Sequence, residues 1–167
     1  MSDDADREVV ERQLGRPVRA FRRVVLRCPY GRPAITEQEP YDSSGSPFPT
    51  TYYLTCPHAV AEVSRLEAAG GVERWSATAA ADPVLRESVW TATRDQRELR
   101  RELAAGRVGR DGGVSLELGI GGSSTPLQLK CLHAHVAFAL ARPGYELGER
   151  IVTELPRLFP EEGCCTI

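Results

Sequence analysis

The stretch LQLKCLHAHVAFALA (127–141) carries two of the chain's three histidines, one of its five cysteines and its only lysine. Thiolate and imidazole together suit zinc, and the same two groups can serve as a nucleophile and its base. Buried thiols also occur as plain small hydrophobes, so composition alone does not assign a role. Spacing adds a constraint. Successive residues of a regular helix turn by about 100°, which puts Cys131 and His135 on one face and points His133 the other way.

The whole composition limits what these residues can serve. At 167 residues the chain is expected to form one domain with its own core, spanning about 8–157, with 1–7 and 158–167 as flexible ends. Twenty-one basic and 23 acidic residues leave a net charge of −2 and a pI near 6.0, without the basic excess of a nucleic-acid-binding domain. No apolar run approaches the roughly 20 residues of a membrane-spanning helix. The opening MSDDADREVV is acidic and lacks the apolar segment of a signal peptide, so the expected location is cytoplasmic and the expected state of the cysteines is reduced. All basic residues but Lys130 are arginine, which with the many alanines fits a GC-rich bacterial genome.

The elements that must position the chemistry are legible from periodicity. DDADREVVERQL (3–14) spaces Val9, Val10 and Leu14 as an amphipathic helix. Residues 18–28 and 34–38 read as a hairpin around PYGRP, and TTYYLTC (50–56) as a third strand in which one of Tyr52 and Tyr53 is core and the other can line a cleft. Pro57 opens a helix over 57–70 that stops at glycine, and His58 in its first turn reads as a surface residue. Asp82 and Pro83 open a helix to about 105 whose second half, RDQRELRREL, reads as a solvated stretch. VSLEL (114–118) reads as a short strand and GIGGSS (119–124) as a glycine loop. Thr125, Pro126 and Gln128 have the pattern of a capping box, which predicts a helix over 126–141 with Thr125 as its cap. A short helix near 146–156 follows, and Cys164 and Cys165 read as a mobile thiol pair. The fold class predicted is α+β: a small, mostly antiparallel sheet covered by about four helices.

Three segments together resemble bacterial domain-of-unknown-function family 501: RCPYGRP with its C-x-x-G-x-P, FPTTYYLTCP with its P-T-x-Y-x-L-T-C-P, and LKCLH with its K-C-L-H. The resemblance spans about residues 8–155. It implies weight on Cys28, Gly31, Pro33, Thr50, Tyr52, Leu54, Thr55, Cys56, Pro57, Lys130, Cys131, Leu132 and His133, and it implies no reaction.

Three site readings follow. Cys28, Cys56 and Cys131 each sit at the edge or start of an element, so with His133 or His135 they can form a Cys₃His site, with zinc as the cofactor expected. If His133 is the ligand, the backbone near 131–133 must be irregular; if the helix is regular, His135 takes that place. Alternatively, Cys56 lies at a helix N-terminus, where the macrodipole favours thiolate, and can act as a nucleophile, with Lys130 and His133 as further catalytic candidates. The third is a metal-free binding or regulatory module in which Gly121, Gly122 and Ser123 cradle an anion or phosphate at a helix N-terminus near Lys130. In every reading the two histidines are expected to have different partners, and the lysine to keep its ammonium at the surface or beside an anion. Substrate, partner and oligomeric state are not written in the sequence.

Overall fold

Strand β1 (Phe21–Arg27) pairs antiparallel with β2 (Pro33–Gln38), and β2 with β3 (Tyr52–Leu54), giving a three-stranded meander in the order β1-β2-β3. A computed structural model describes residues 3–164 of the chain. The hairpin closes at Gly31, whose φ of +77° is a left-handed conformation that glycine adopts without strain. The central strand β2 is buried along its whole length, including Glu37. A carboxylate taken out of water needs compensation, and Arg22 and Arg23 of the edge strand each reach it at 3.0 Å. The exposed arginines of β1 also keep that edge from pairing with another strand.

Six helices are described: α1 (Asp3–Leu14), α2 (Pro57–Ala68), α3 (Gly71–Ala81), α4 (Pro83–Ala104), α5 (Leu132–Ala141) and α6 (Glu146–Thr153). The fold is a single α+β domain, as the sequence implied. Helix α1 packs Val9 and Val10 inward and its buried Asp6 accepts Arg27 at 2.7 Å. Helix α5 sits at the centre of the main core, against β3, α6 and α2. The chain after α6 stays close to the body: Leu158 is buried, and Tyr30 donates its hydroxyl to the Pro160 carbonyl at 2.9 Å. Cys164 packs half-buried beside the core, whereas Cys165 lies outside the described residues. No described helix is long and apolar enough to cross a membrane.

Helix α3 is absent from the elements read from the sequence, where Gly70 and Gly71 mark only a stop. They make a tight corner instead. Gly70 is left-handed, and a Cβ on Gly71 would lie 2.6 Å from the Leu66 carbonyl oxygen and 3.0 Å from Leu132 Cδ1. The chain turns at once into a second helix, whose Trp75 donates its indole N–H to Glu154 at 2.8 Å.

Three further expectations need correction. The second half of α4 is not solvated all round, because Gln96, Arg100 and Ala104 are buried on one face. Their side chains hold the segment after α4: Gln96 donates to the Leu118 carbonyl at 3.2 Å and Arg100 to those of Ser115 and Phe48 at 3.3 and 3.0 Å. With those carbonyls occupied, 114–118 forms no strand and Val114–Glu117 is a 3-10 turn. Burial lowers Arg100 to about 10, which leaves it a cation at neutral pH.

The helix predicted over 126–141 begins only at Leu132. The Thr125 hydroxyl donates to the Gln128 side chain at 3.1 Å, and the Gln128 amide to the Thr125 carbonyl at 2.9 Å, closing a turn. Ser76 of α3 accepts the Leu129 amide at 3.0 Å, so a neighbouring element satisfies a group that a helix would have used itself. By contrast Asp82 caps α4 as predicted, accepting from Val84 N at 2.9 Å and Leu85 N at 3.3 Å.

These contacts set the ranking expected for surface and corner substitutions. Asp82→Ala should cost about 1 kcal/mol, whereas Thr125→Ala should stay within about 0.5 kcal/mol. Gly71→Ala sits in a helix, where alanine ordinarily stabilises, but its Cβ has no room beside a backbone carbonyl. It should destabilise by about 1–3 kcal/mol. Urea unfolding of the three variants against wild type checks both the order and the sign.

Candidate functional site

The site is built where the end of α2 meets the start of α5. Helix α5 (LHAHVAFALA) is apolar around nearly its whole circumference and buries seven of its ten residues. Its first amides have no intrahelical acceptor, and a buried helix end needs one from elsewhere. Glu67, in the last turn of α2, supplies it: its Oε1 accepts the Leu132 N–H at 2.6 Å. The Gly70–Gly71 corner allows this approach, since Gly71 leaves space for Leu132.

Cys131 stands just before the helix in extended backbone, φ −158° and ψ 120°. That resolves the sequence ambiguity. Cys131 lies outside the helical period, so its Sγ comes within 3.6 Å of Nδ1 of His133, while the same nitrogen is 3.2 Å from Glu67 Oε1. Nε2 of His133 is 3.1 Å from the Val60 carbonyl, which can only accept, so this nitrogen carries a proton. Nδ1 is thereby left facing the Cys131 sulfur and a carboxylate. Burial disfavours charging His133, but the hydrogen bond and charge of Cys131, the Glu67 carboxylate and the Val60 carbonyl outweigh it and raise its pKa to about 9. At neutral pH and without a metal, His133 is an imidazolium bridging Glu67 and Cys131.

Glu67, Cys131 and His133 each offer a ligand atom, all within 4.8 Å of one another, and they form the one group of three or more potential metal ligands among the described residues. All three are half-buried. Cys131 and His133 border a cleft of about 390 Å³ that is also lined by Leu14, Thr50, Tyr53, Ser64 and Gly121. Ser64 also lies 3.2 Å from His133 Nε2. Gly121 is left-handed, with φ +69°, and a Cβ there would sit 3.3 Å from Ala134.

The other sequence candidates lie elsewhere. Cys28 directly follows β1 and Cys56 precedes α2, but both pack in the apolar core and neither belongs to the three-residue group. Cys56 is 1% exposed, so its thiol is closed to a substrate even though it sits at a helix start. His135 is fully buried and shares a 2.8 Å hydrogen bond with the Tyr145 hydroxyl; burial lowers it to about 4, so it stays neutral. The two histidines do have different partners.

Lys130 is exposed, its Nζ 3.5 Å from the Gly122 carbonyl. The glycine loop forms a 3-10 turn over Ile120–Gly122 and runs into irregular chain rather than a helix N-terminus. Gly122 and Ser123 are buried, and the Ser123 hydroxyl is spent on the Thr125 carbonyl at 2.8 Å. The geometry assumed for an anion cradle is therefore not formed. The helix-start amide that such a cradle would have offered is taken by Glu67. That residue is the one the sequence reading missed, and its only trace there is indirect: a buried helix start demands an acceptor.

Comparison with known proteins gives a family and nothing finer. The profile of the family described as protein of unknown function (DUF501) matches residues 24–153. No curated protein and no solved structure matches the chain.

The charge state of the site is testable in metal-free protein. In an NMR titration the His133 ring should inflect near pH 9, and Glu67→Gln should move that inflection down; His135 should not titrate until about pH 4. The His133 value lies above the ordinary one of about 6.5. Its contribution to stability is thus complete below about pH 6.5 and lost as pH rises through about 9. The difference in urea midpoint between wild type and His133→Asn should shrink across that window.

Proposed function

The chain belongs to this family of proteins of unknown function, and from that premise we propose that it is a metal-dependent protein whose Glu67, Cys131 and His133 hold one divalent ion. Zinc is the ion that a mixed sulfur, nitrogen and oxygen set favours. The single observation that carries the reading is the convergence of three different donor atoms on one point, with the far nitrogen of the histidine tied to Val60. The separations of 3.6 Å and 3.2 Å from Nδ1 match those between neighbouring ligands bound at about 2.0–2.3 Å.

The surroundings support a working site over a purely structural one. Structural zinc sites are closed by four protein ligands, whereas catalytic ones keep three and leave a position for water or substrate. Here three side chains converge, and two of them, Cys131 and His133, line an open cleft. The Val60 carbonyl orients His133 and the Leu132 amide orients Glu67, the kind of outer contacts that fix metal ligands. A zinc ion bound there would supply a Lewis acid and a bound water acidic enough to ionise near neutral pH. The reaction class that follows is metal-assisted hydrolysis or hydration of a small molecule.

Metal analysis of protein purified without chelator tests this directly. About one zinc per chain is expected in wild type and in Cys28→Ala. Cys131→Ser and His133→Asn should lose it, and Glu67→Gln should weaken binding by about 10–100-fold. Zinc at a hundred times its Kd should stabilise the metal-free protein by about 2.7 kcal/mol. Wild type that neither contains zinc nor gains stability from it would end the reading.

A further inference from the structure

A second cleft shares two lining residues with the cleft beside Cys131 and His133. This neighbour, of about 400 Å³, is lined in part by Arg16, Arg19, Asp42 and Phe48, and Leu14 and Tyr53 line both. Tyr53 is the wall between them. Its hydroxyl accepts from Arg16 Nη2 at 3.1 Å, and the Arg16 guanidinium stands 5.9 Å from the centre of its ring. The tyrosine therefore fixes the arginine at the junction of the two clefts.

The cations of this arm are not taken up by carboxylates as those of the adjoining strand are. The arginines of the adjoining strand are paired: Arg22 and Arg23 with Glu37, and Arg27 with Asp6. Arg16 and Arg19 are exposed and make no ion pair within 4.0 Å among the described residues. The one carboxylate lining the arm, Asp42, has Oδ1 engaged by the amides of Ser44 and Ser46 at 2.8 and 2.9 Å and by the Ser44 hydroxyl. Two cations thus face one locally bound anion.

We propose that the two clefts form one substrate site, in which Arg16 and Arg19 bind the oxyanion end of an elongated small molecule whose other end reaches Glu67, Cys131 and His133. Leu14, Phe48 and Tyr53 supply the apolar wall for its middle. The substrate class is a carboxylate- or phosphate-bearing compound with a hydrolysable polar group at its far end. This inference rests on the metal reading above and extends it by specifying substrate charge and shape.

Hydroxamates, which chelate zinc, separate the two ideas. Monohydroxamates of straight-chain dicarboxylic acids of four to eight carbons are titrated calorimetrically into the zinc-loaded full chain, each against the neutral hydroxamate of equal length. At one length the acid should bind about fivefold more tightly than its neutral counterpart, the size expected of an exposed ion pair. The gain should vanish in the double variant Arg16→Ala/Arg19→Ala, while the neutral compound keeps its affinity. Equal affinities at every length, or a gain that survives the double variant, overturn the substrate inference and leave the metal reading standing. Failure of the neutral compounds to bind overturns both.

Discussion

A helix start packed into the core must have its first amides satisfied by protein, and that constraint organises the site. Helix α5 fills the centre of the fold, and the nearest acceptor for its opening turn is a carboxylate from another helix. The 2.6 Å contact from Leu132 N to Glu67 Oε1 meets two needs at once. It satisfies an amide, and it sets a negative charge at the positive end of the helix dipole. The neighbouring imidazole then shares that oxygen, and the thiol just before the helix shares the imidazole. Remove the carboxylate and the relation between Cys131 and His133 loses its anchor.

The anchor depends in turn on how α2 ends. Gly70 and Gly71 permit a corner that a side chain would obstruct, and this brings the last turn of α2 against the first residue of α5. The irregular chain before α5 is held by other elements, with Ser76 taking the Leu129 amide and Ser123 bonding its own turn. Each of these contacts diverts a backbone group from extending the helix toward residue 126. The late start frees Cys131 from helical geometry, which is the precondition for its sulfur to meet His133.

Polar groups along α5 divide by depth. His133, at the cleft, meets a carboxylate, a thiol and a carbonyl and is held charged in the absence of metal. His135, two residues on and on the opposite, fully buried side of the helix, meets only a tyrosine hydroxyl and is held neutral. Two residues of one type and one helix thus take opposite charge states because one faces anionic partners and the other faces only the core. Arg100 shows the same economy elsewhere, a buried cation whose described hydrogen bonds go to carbonyls of the chain it clamps.

Local pattern alone determined the hairpin, the third strand, helices α1, α2, α4 and α6, and the Asp82 cap. These are properties of hydrophobic period and of residues acting within four positions. The resemblance to the family drew attention to Cys131 and His133, and helical period showed that they could meet only if the backbone between them were irregular. Tertiary structure decided the rest. It replaced the apparent capping box at Thr125 with a turn, because Ser76 and Glu67 compete for the amides a longer helix would need. It turned 114–118 from a strand into a clamped turn, because side chains of α4 occupy its carbonyls. It left Cys28 and Cys56 in the core and brought in Glu67, which no spacing in the sequence connects to Cys131. A side-chain cluster drawn from separate elements is a relation between them, fixed by which buried donor lacks an acceptor, and only the packed chain answers that.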